Sequence, residues 1–137
     1  MKLSSINPAT GNLCVYNQIA SGIYHFMFTS SSRAAADEYI DHMTALYQDR
    51  GYEPMLRFMI DANLGRLPLN HLILRLKQLL ENFPNRPPTR TAFLANSGMA
   101  SLLAGMIRLL PMQNKDKVRF FDPGAQDQAI HWLLSDK

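Results

Sequence analysis

The sequence predicts an α/β domain with a mixed, mostly parallel five-stranded sheet and four helices, in the order β-β-α-β-α-β-α-β-α. Three observations predict it. Short apolar runs of strand length alternate with longer stretches of helical periodicity. Proline, glycine and serine punctuate the junctions. A helix separates every pair of strands after the second, which implies right-handed crossovers and parallel neighbours; only the first strand, joined by a short link, should run antiparallel.

Leu13 to Tyr16 reads as the first strand, with Ser21-Gly22 as the break after it. Ile23 to Phe28 (IYHFMF) is the second, aromatic-rich and flanked by turn residues. Ser30, Ser31 and Ser32 offer caps for a helix from Arg33 to Asp49. Ala36, Tyr39, Ile40, Met43, Leu46 and Tyr47 share its apolar face, and Asp37, Glu38, Asp41 and Gln48 the polar one. Gly51 is its expected C′ stop. Met55 to Ile60 is the third strand, closed by Asp61. The second helix runs from Leu69 to Asn82 with Leu69, Leu72, Ile73, Leu76 and Leu80 inward, until Pro84, Pro87 and Pro88 force a loop. Thr91 to Ala95 is the fourth strand; Ser97 then caps a third helix that Pro111 stops after Leu110. Val118 to Phe121 is the fifth strand, and Asp122-Pro123 supplies a cap and a first-turn proline for a last helix ending near Leu134.

The chain of 137 residues fits one domain, and its 47% apolar content suits a folded core rather than disorder. A single cysteine, Cys14, excludes an intramolecular disulfide and fits a reducing compartment. The opening MKLSSINPATGNL lacks the apolar core of a signal peptide, and no apolar run reaches membrane-span length. These features predict a cytoplasmic protein. The net charge of +3 is spread over scattered residues, without the Lys/Arg run of a nucleic-acid tail, so no nucleic-acid partner is expected.

No catalytic residue, metal ligand or cofactor is expected from the sequence. His25, His42, His71 and His131 lack metal-motif spacing, and Cys14 has no base near it in sequence. Asn96-Ser97-Gly98 sits at a strand-to-helix turn without the first glycine of a nucleophile elbow. The loops after parallel strands form one rim of the sheet, where open α/β sheets bind ligands. The rim residues are Ser30, Ser32, Arg33, Asp61, Asn63, Arg66, Asn96, Ser97 and Gly98, with Asp122 to Gly124 beside them. Helix N-termini there could hold an anion. The third helix is apolar on every face, with Arg108 its one charge. A helix of that kind on the outer layer of a small sheet needs covering, by a homodimer partner, another protein or a lipid-like ligand. Met99, Leu103, Met106, Ile107 and Leu110 are the expected interface.

The chain also resembles the STAS-like fold, in particular its SpoIIAA-like branch. The closing segment VRFFDPGAQDQAIHWL carries the likeness through Val118, Phe120, Asp122, Ala129, Trp132 and Leu133. The middle segment MLRFMIDANLGRL is similar to that family's strand ending in Asp, here Asp61. The resemblance implies a small bacterial binding or regulatory module, some members being switched by phosphorylation of a serine at the start of the second helix. Here that stretch reads Arg66-Leu67-Pro68-Leu69-Asn70, with no hydroxyl, so the phospho-switch is not expected. Some relatives share a likeness to lipid-binding Sec14-type domains, which makes a small lipid-like or anionic ligand the alternative.

Overall fold

The computed structural model describes residues 13–19, 22–62 and 68–135. Its elements are β1 (Cys14–Ile19), β2 (Ile23–Phe28), α1 (Arg33–Arg50), β3 (Leu56–Asp61), α2 (Leu69–Asn82), β4 (Thr89–Leu94), α3 (Ser97–Ile107), β5 (Asp116–Phe121) and α4 (Gln126–Leu134). The five strands lie side by side in chain order. β1 is antiparallel to β2, and all later neighbours are parallel, as the helix-free first link and the three crossovers predict. Gly22 turns the chain between β1 and β2 at φ 90, a backbone angle that favours glycine. No described helix is long and apolar enough to cross a membrane.

Right-handed crossovers that always step the same way across a sheet leave their helices on one face. α1, α2 and α3 accordingly pack there, on Tyr24, Phe26, Phe58, Ile60 and Phe93. α4 follows the last strand and covers the other face, where Ala129 and Leu133 meet Ile23, Met59, Ala92 and Leu94. The pleat of IYHFMF feeds both cores: Ile23 goes to one, Tyr24 and Phe26 to the other. Two arginines fix the end of α4. Arg57 Nε donates to the Leu133 carbonyl at 2.7 Å. Arg90 Nη1 donates to the carbonyls of Trp132 (2.8 Å) and Ser135 (2.7 Å), with its guanidinium 5.5 Å from the Trp132 ring centre. Cations at a helix C-terminus complement its exposed carbonyls and dipole.

At the lower end of the sheet a buried ion pair joins the α2–β4 loop to β5. Arg86 Nη2 donates to Asp116 Oδ2 at 2.6 Å, with side chains 1% and 3% exposed. Arg86 Nη1 also donates to the carbonyls of Leu80 (3.1 Å) and Phe83 (3.0 Å) at the end of α2, where helix carbonyls lack intrahelical partners. Asp116 accepts from Thr89 Oγ1 (3.1 Å) and the Gln113 N–H (2.9 Å).

The two sheet edges are treated differently. The Leu13 carbonyl accepts from Thr29 N–H at 2.9 Å, so the backbone of Cys14 turns outward. α1 covers it: Glu38 Oε1 accepts from the N–H groups of Leu13 (2.9 Å) and Cys14 (3.1 Å). His42 Nε2 donates to the Cys14 carbonyl at 2.7 Å, and since a carbonyl only accepts, Nε2 carries the proton. On the far side, the carbonyls of Lys115 and Phe121 accept from Thr89 N–H (3.1 Å) and Ala95 N–H (2.9 Å) of the β4 side. The odd-numbered residues of β5 therefore face β4, and Val118 and Phe120 point N–H and C=O away from the sheet. No described strand lies beyond them.

Several expectations need correction. The first strand extends to Ile19, which still pairs with Ile23, and the fourth starts at Thr89, whose N–H already donates to the Lys115 carbonyl at 3.1 Å. The α1 end is ordinary: Gly51 has φ −64, right-handed rather than the left-handed stop expected. α3 is capped by Asn96, whose side chain accepts from Met99 N–H at 2.9 Å; Ser97 is its first helical residue. α3 also ends at Ile107, short of Leu110. Asp122-Pro123 forms a separate turn, closed by Ala125 N–H to Asp122 C=O at 2.9 Å, and α4 starts only at Gln126 without a side-chain cap.

Truncating Asp116 to Ala leaves the Arg86 charge buried and frees the Thr89 and Gln113 donors. Loss of one partner of such a pair costs about 3–5 kcal/mol. Urea unfolding of Asp116→Ala should show a loss of that size, whereas Lys117→Ala, one residue on and exposed, should stay within about 0.5 kcal/mol of the parent.

Candidate functional site

The chain leaves β4 and β5 in opposite directions. β4 feeds α3 on the three-helix face, and β5 feeds α4 on the other. Such divergence of adjacent parallel strands opens a crevice at their carboxyl ends, the general location of ligand sites in open α/β sheets. Here it has a volume of about 300 Å³. Ala95, Ser97 and Ala100 form the α3 wall, Phe120 and Phe121 the floor, and Asp122, Ala125 and Gln128 the α4 wall, with Arg119 beside them.

The crevice continues along β5 into a groove of about 510 Å³ between that strand and α4, lined by Arg119, Phe121, Asp127, Gln128, His131, Trp132 and Ser135. Arg119 lies with its guanidinium carbon 5.3 Å from the Phe121 ring centre, and Phe121 and Trp132 have centroids 6.0 Å apart. A cation on an aromatic pair makes a flat, adaptable contact surface with one charged corner.

The expected rim separates into two places. Asn96, Ser97 and Gly98 border the crevice as exposed residues, but the Asn96 side-chain oxygen is taken up by the α3 cap. Ser30, Ser32 and Arg33 lie at the start of α1. There Ser30 Oγ donates to Ser32 Oγ (2.9 Å), and Ser32 Oγ accepts from Ala35 N–H (3.1 Å) as the α1 cap. Arg33 Nη2 donates to His71 Nδ1 at 3.3 Å. Asp61 ends β3, half-buried on the α4 side. Asn63 and Arg66 lie outside the described residues.

Sequence reasoning missed a polar cluster between α1 and α2. His71 Nε2 donates to Asp37 Oδ1 at 2.7 Å, and Arg75 donates to the same oxygen. The hydrogen bond from His71, aided by Arg75, holds the Asp37 carboxyl below the usual range. Its members pair with one another across α1 and α2, so it reads as a clamp between two helices. It also missed Arg119 and Gln128 in the crevice. Helical spacing was the available signal for Gln128, but only the side of the sheet that α4 covers brings it to the site.

The apolar expectations for α3 are corrected. Leu103 (1% exposed) and Met106 (3%) are its core face, and Met99, Ile107 and Leu110 are partly buried against the same core. The residues that face outward are Leu102 (55%) and Leu109 (64%). Between α1, α2, α3 and the sheet, Tyr47, Leu76, Leu79, Met106 and Leu110 line a cavity of about 60 Å³. Among the described residues no group of three or more His, Cys, Asp or Glu is placed to hold a metal ion. Burial, aided by the charge of Glu38, pushes the Cys14 thiol up to about 12, so it is a packing residue with little thiolate at neutral pH.

Comparison with protein-family models, with curated proteins and with solved structures finds no match for this chain. Its class, an α/β protein with a mixed five-stranded sheet and four helices, rests on the sheet itself.

His25 gives a pH test of the α4-side face. Its Nε2 is buried without a hydrogen-bond partner among the described residues, and burial lowers its pKa against the opposing charge of Asp61. The unfolded chain then binds this proton more readily than the folded one, so stability should fall as pH drops through the ordinary histidine range near 6.5. Urea midpoints measured above and below that pH should diverge in the parent and less in His25→Phe; an equal divergence in both would exclude His25 as the cause.

Proposed function

We propose that this chain is a non-enzymatic binding module, of the regulatory kind that the SpoIIAA-like resemblance implies, and that the β4/β5 crevice is its recognition site. The observation that carries this reading is the divergence of α3 and α4 to opposite faces, which opens a partly polar crevice of ligand size at the carboxyl ends of the strands. The phospho-switch has no part in it, because Pro68, Leu69 and Asn70 offer no acceptor where α2 begins. A reducing, cytoplasmic setting fits the buried free thiol of Cys14.

Volume favours the crevice over the core as the place for a ligand. Small-molecule sites occupy roughly 300–1,000 Å³. The apolar cavity beneath the helices offers about 60 Å³, whereas the crevice reaches about 300 Å³. An amide NMR titration with inorganic phosphate and a set of small carboxylate, amide and aromatic fragments tests the site. Shifts should cluster at Ala95 to Ala100 and Phe120 to Ala125. Shifts centred on Leu76 and Met106 would move the site to the cavity.

Self-association through α3 and the turn after it is the second reading, favoured by the exposure of Leu102 on the helix and Leu109 in the turn. Fully burying a leucine contributes about 1.5–3 kcal/mol, so two half-exposed leucines on each of two copies contribute about 3–6 kcal/mol. Association itself costs about 4–15 kcal/mol. A dimer held by this face alone is therefore weak. Sedimentation velocity should show a monomer at low micromolar concentration, with any dimer formed at higher concentration abolished by Leu102→Glu with Leu109→Glu.

A further inference from the structure

We infer that the open edge of β5 is a docking edge for an extended, acidic segment of a partner protein, which joins the sheet as a sixth strand. The inference rests on the reading of the neighbouring crevice as the recognition site, and it names the partner.

The backbone supplies the first argument. Val118 and Phe120 turn their N–H and C=O groups away from β4, and no described strand meets them. Exposed edges invite pairing, and folded proteins usually block them. On the other edge Glu38 and His42 occupy the outward groups of Cys14, where β1 begins. β5 carries no proline or glycine and is the last described strand of the sheet. An added strand would find two donors and two acceptors at alternate residues, the pattern of strand addition.

Side chains supply the chemistry. Lys117 and Arg119 are exposed on the same face of β5, two residues apart. The one carboxylate within the strand, Asp116, is taken up by Arg86. Asp127 on α4 is the acidic group across the groove. A segment with acidic residues opposite Lys117 and Arg119 gains favourable cross-strand pairs, and its apolar residues reach Phe121 and Trp132. A second copy of β5 is disfavoured as the occupant. The antiparallel registers centred on Val118 or Arg119, which pair the most of the strand, set Lys117 opposite Arg119 or Arg119 opposite itself, and like charges directly opposite destabilise.

The test is selection of peptides from a random dodecamer library displayed on phage, panned on the full chain. Enriched peptides are synthesised and measured by calorimetry against the parent, Val118→Pro and the double variant Lys117→Glu with Arg119→Glu. Val118→Pro deletes one outward N–H at an edge position that tolerates proline. The expected result is acidic peptides without internal proline, amide-exchange protection at Val118 and Phe120 on binding, and affinity at least roughly tenfold weaker in both variants. If Val118→Pro does not fold, the charge variant at two exposed positions and the exchange data on the parent decide alone. Failure to enrich any peptide, enrichment of neutral or basic ones, or undiminished binding to the variants overturns the inference. Peptides that survive both edge variants yet shift Ala95 to Ala100 overturn the edge and leave the crevice reading standing. Peptides that protect Val118 and Phe120 without shifting Ala95 to Ala100 support the edge and count against the crevice.

Discussion

The buried pair of Arg86 and Asp116 is the constraint on which the geometry of the β5 side depends. Two charges removed from water persist only where their remaining hydrogen-bonding capacity is met. The Arg86 guanidinium meets it with the end of α2 (Leu80 and Phe83 carbonyls) and, at 3.4 Å, the Pro111 carbonyl after α3. The Asp116 carboxylate meets it with Thr89, the first residue of β4, and the Gln113 N–H in the turn before β5. One network thus fixes where α2 stops, where α3 lets go and how β5 aligns with β4. Because the strands are in register from Thr89↔Asp116 to Leu94↔Phe121, fixing their lower ends also fixes the upper ends that open into the crevice.

Much of the fold was legible in the residues because it is local. Periodicity and the prolines from Pro84 on bounded α2 at Leu69 and Asn82, and the helix found between successive strands sufficed to predict a parallel sheet. The errors fall where local chemistry is ambiguous. Asn96 and Ser97 are both good caps, and only the extended backbone at Asn96 (ψ 169) decides between them. Asp122-Pro123 suits a helix start as well as a turn, and it makes the turn. α3 is apolar on all sides, so its sequence does not mark which side meets the sheet; packing chose Leu103 and Met106 and left Leu102 outside.

The candidate site was half legible for the same reason. Its α3 wall, with Ser97 between Ala95 and Ala100, follows from a strand-to-helix junction that sequence can locate. Its other wall requires knowing that α4 crosses to the opposite face, which depends on Ala129 and Leu133 finding Met59 and Ala92. Pairs such as Arg86–Asp116 and Asp37–His71 are 30 and 34 residues apart and carry no local signature. A single sequence shows each member as an ordinary surface charge.

The lopsided layering has a consequence for how the molecule opens. Three helices share one face of the sheet, whereas nine-residue α4 is the one described helix on the other. A short helix held at one end by Arg57 and Arg90 is a natural unit of partial unfolding, able to detach while the rest of the domain stays intact. Its release would bare Ile23, Met59, Ala92 and Leu94 next to the unpaired edge of β5. Apolar strand surface beside free backbone donors is the usual starting point for intermolecular β-assembly. The two arginines that anchor α4 therefore also guard the molecule against aggregation.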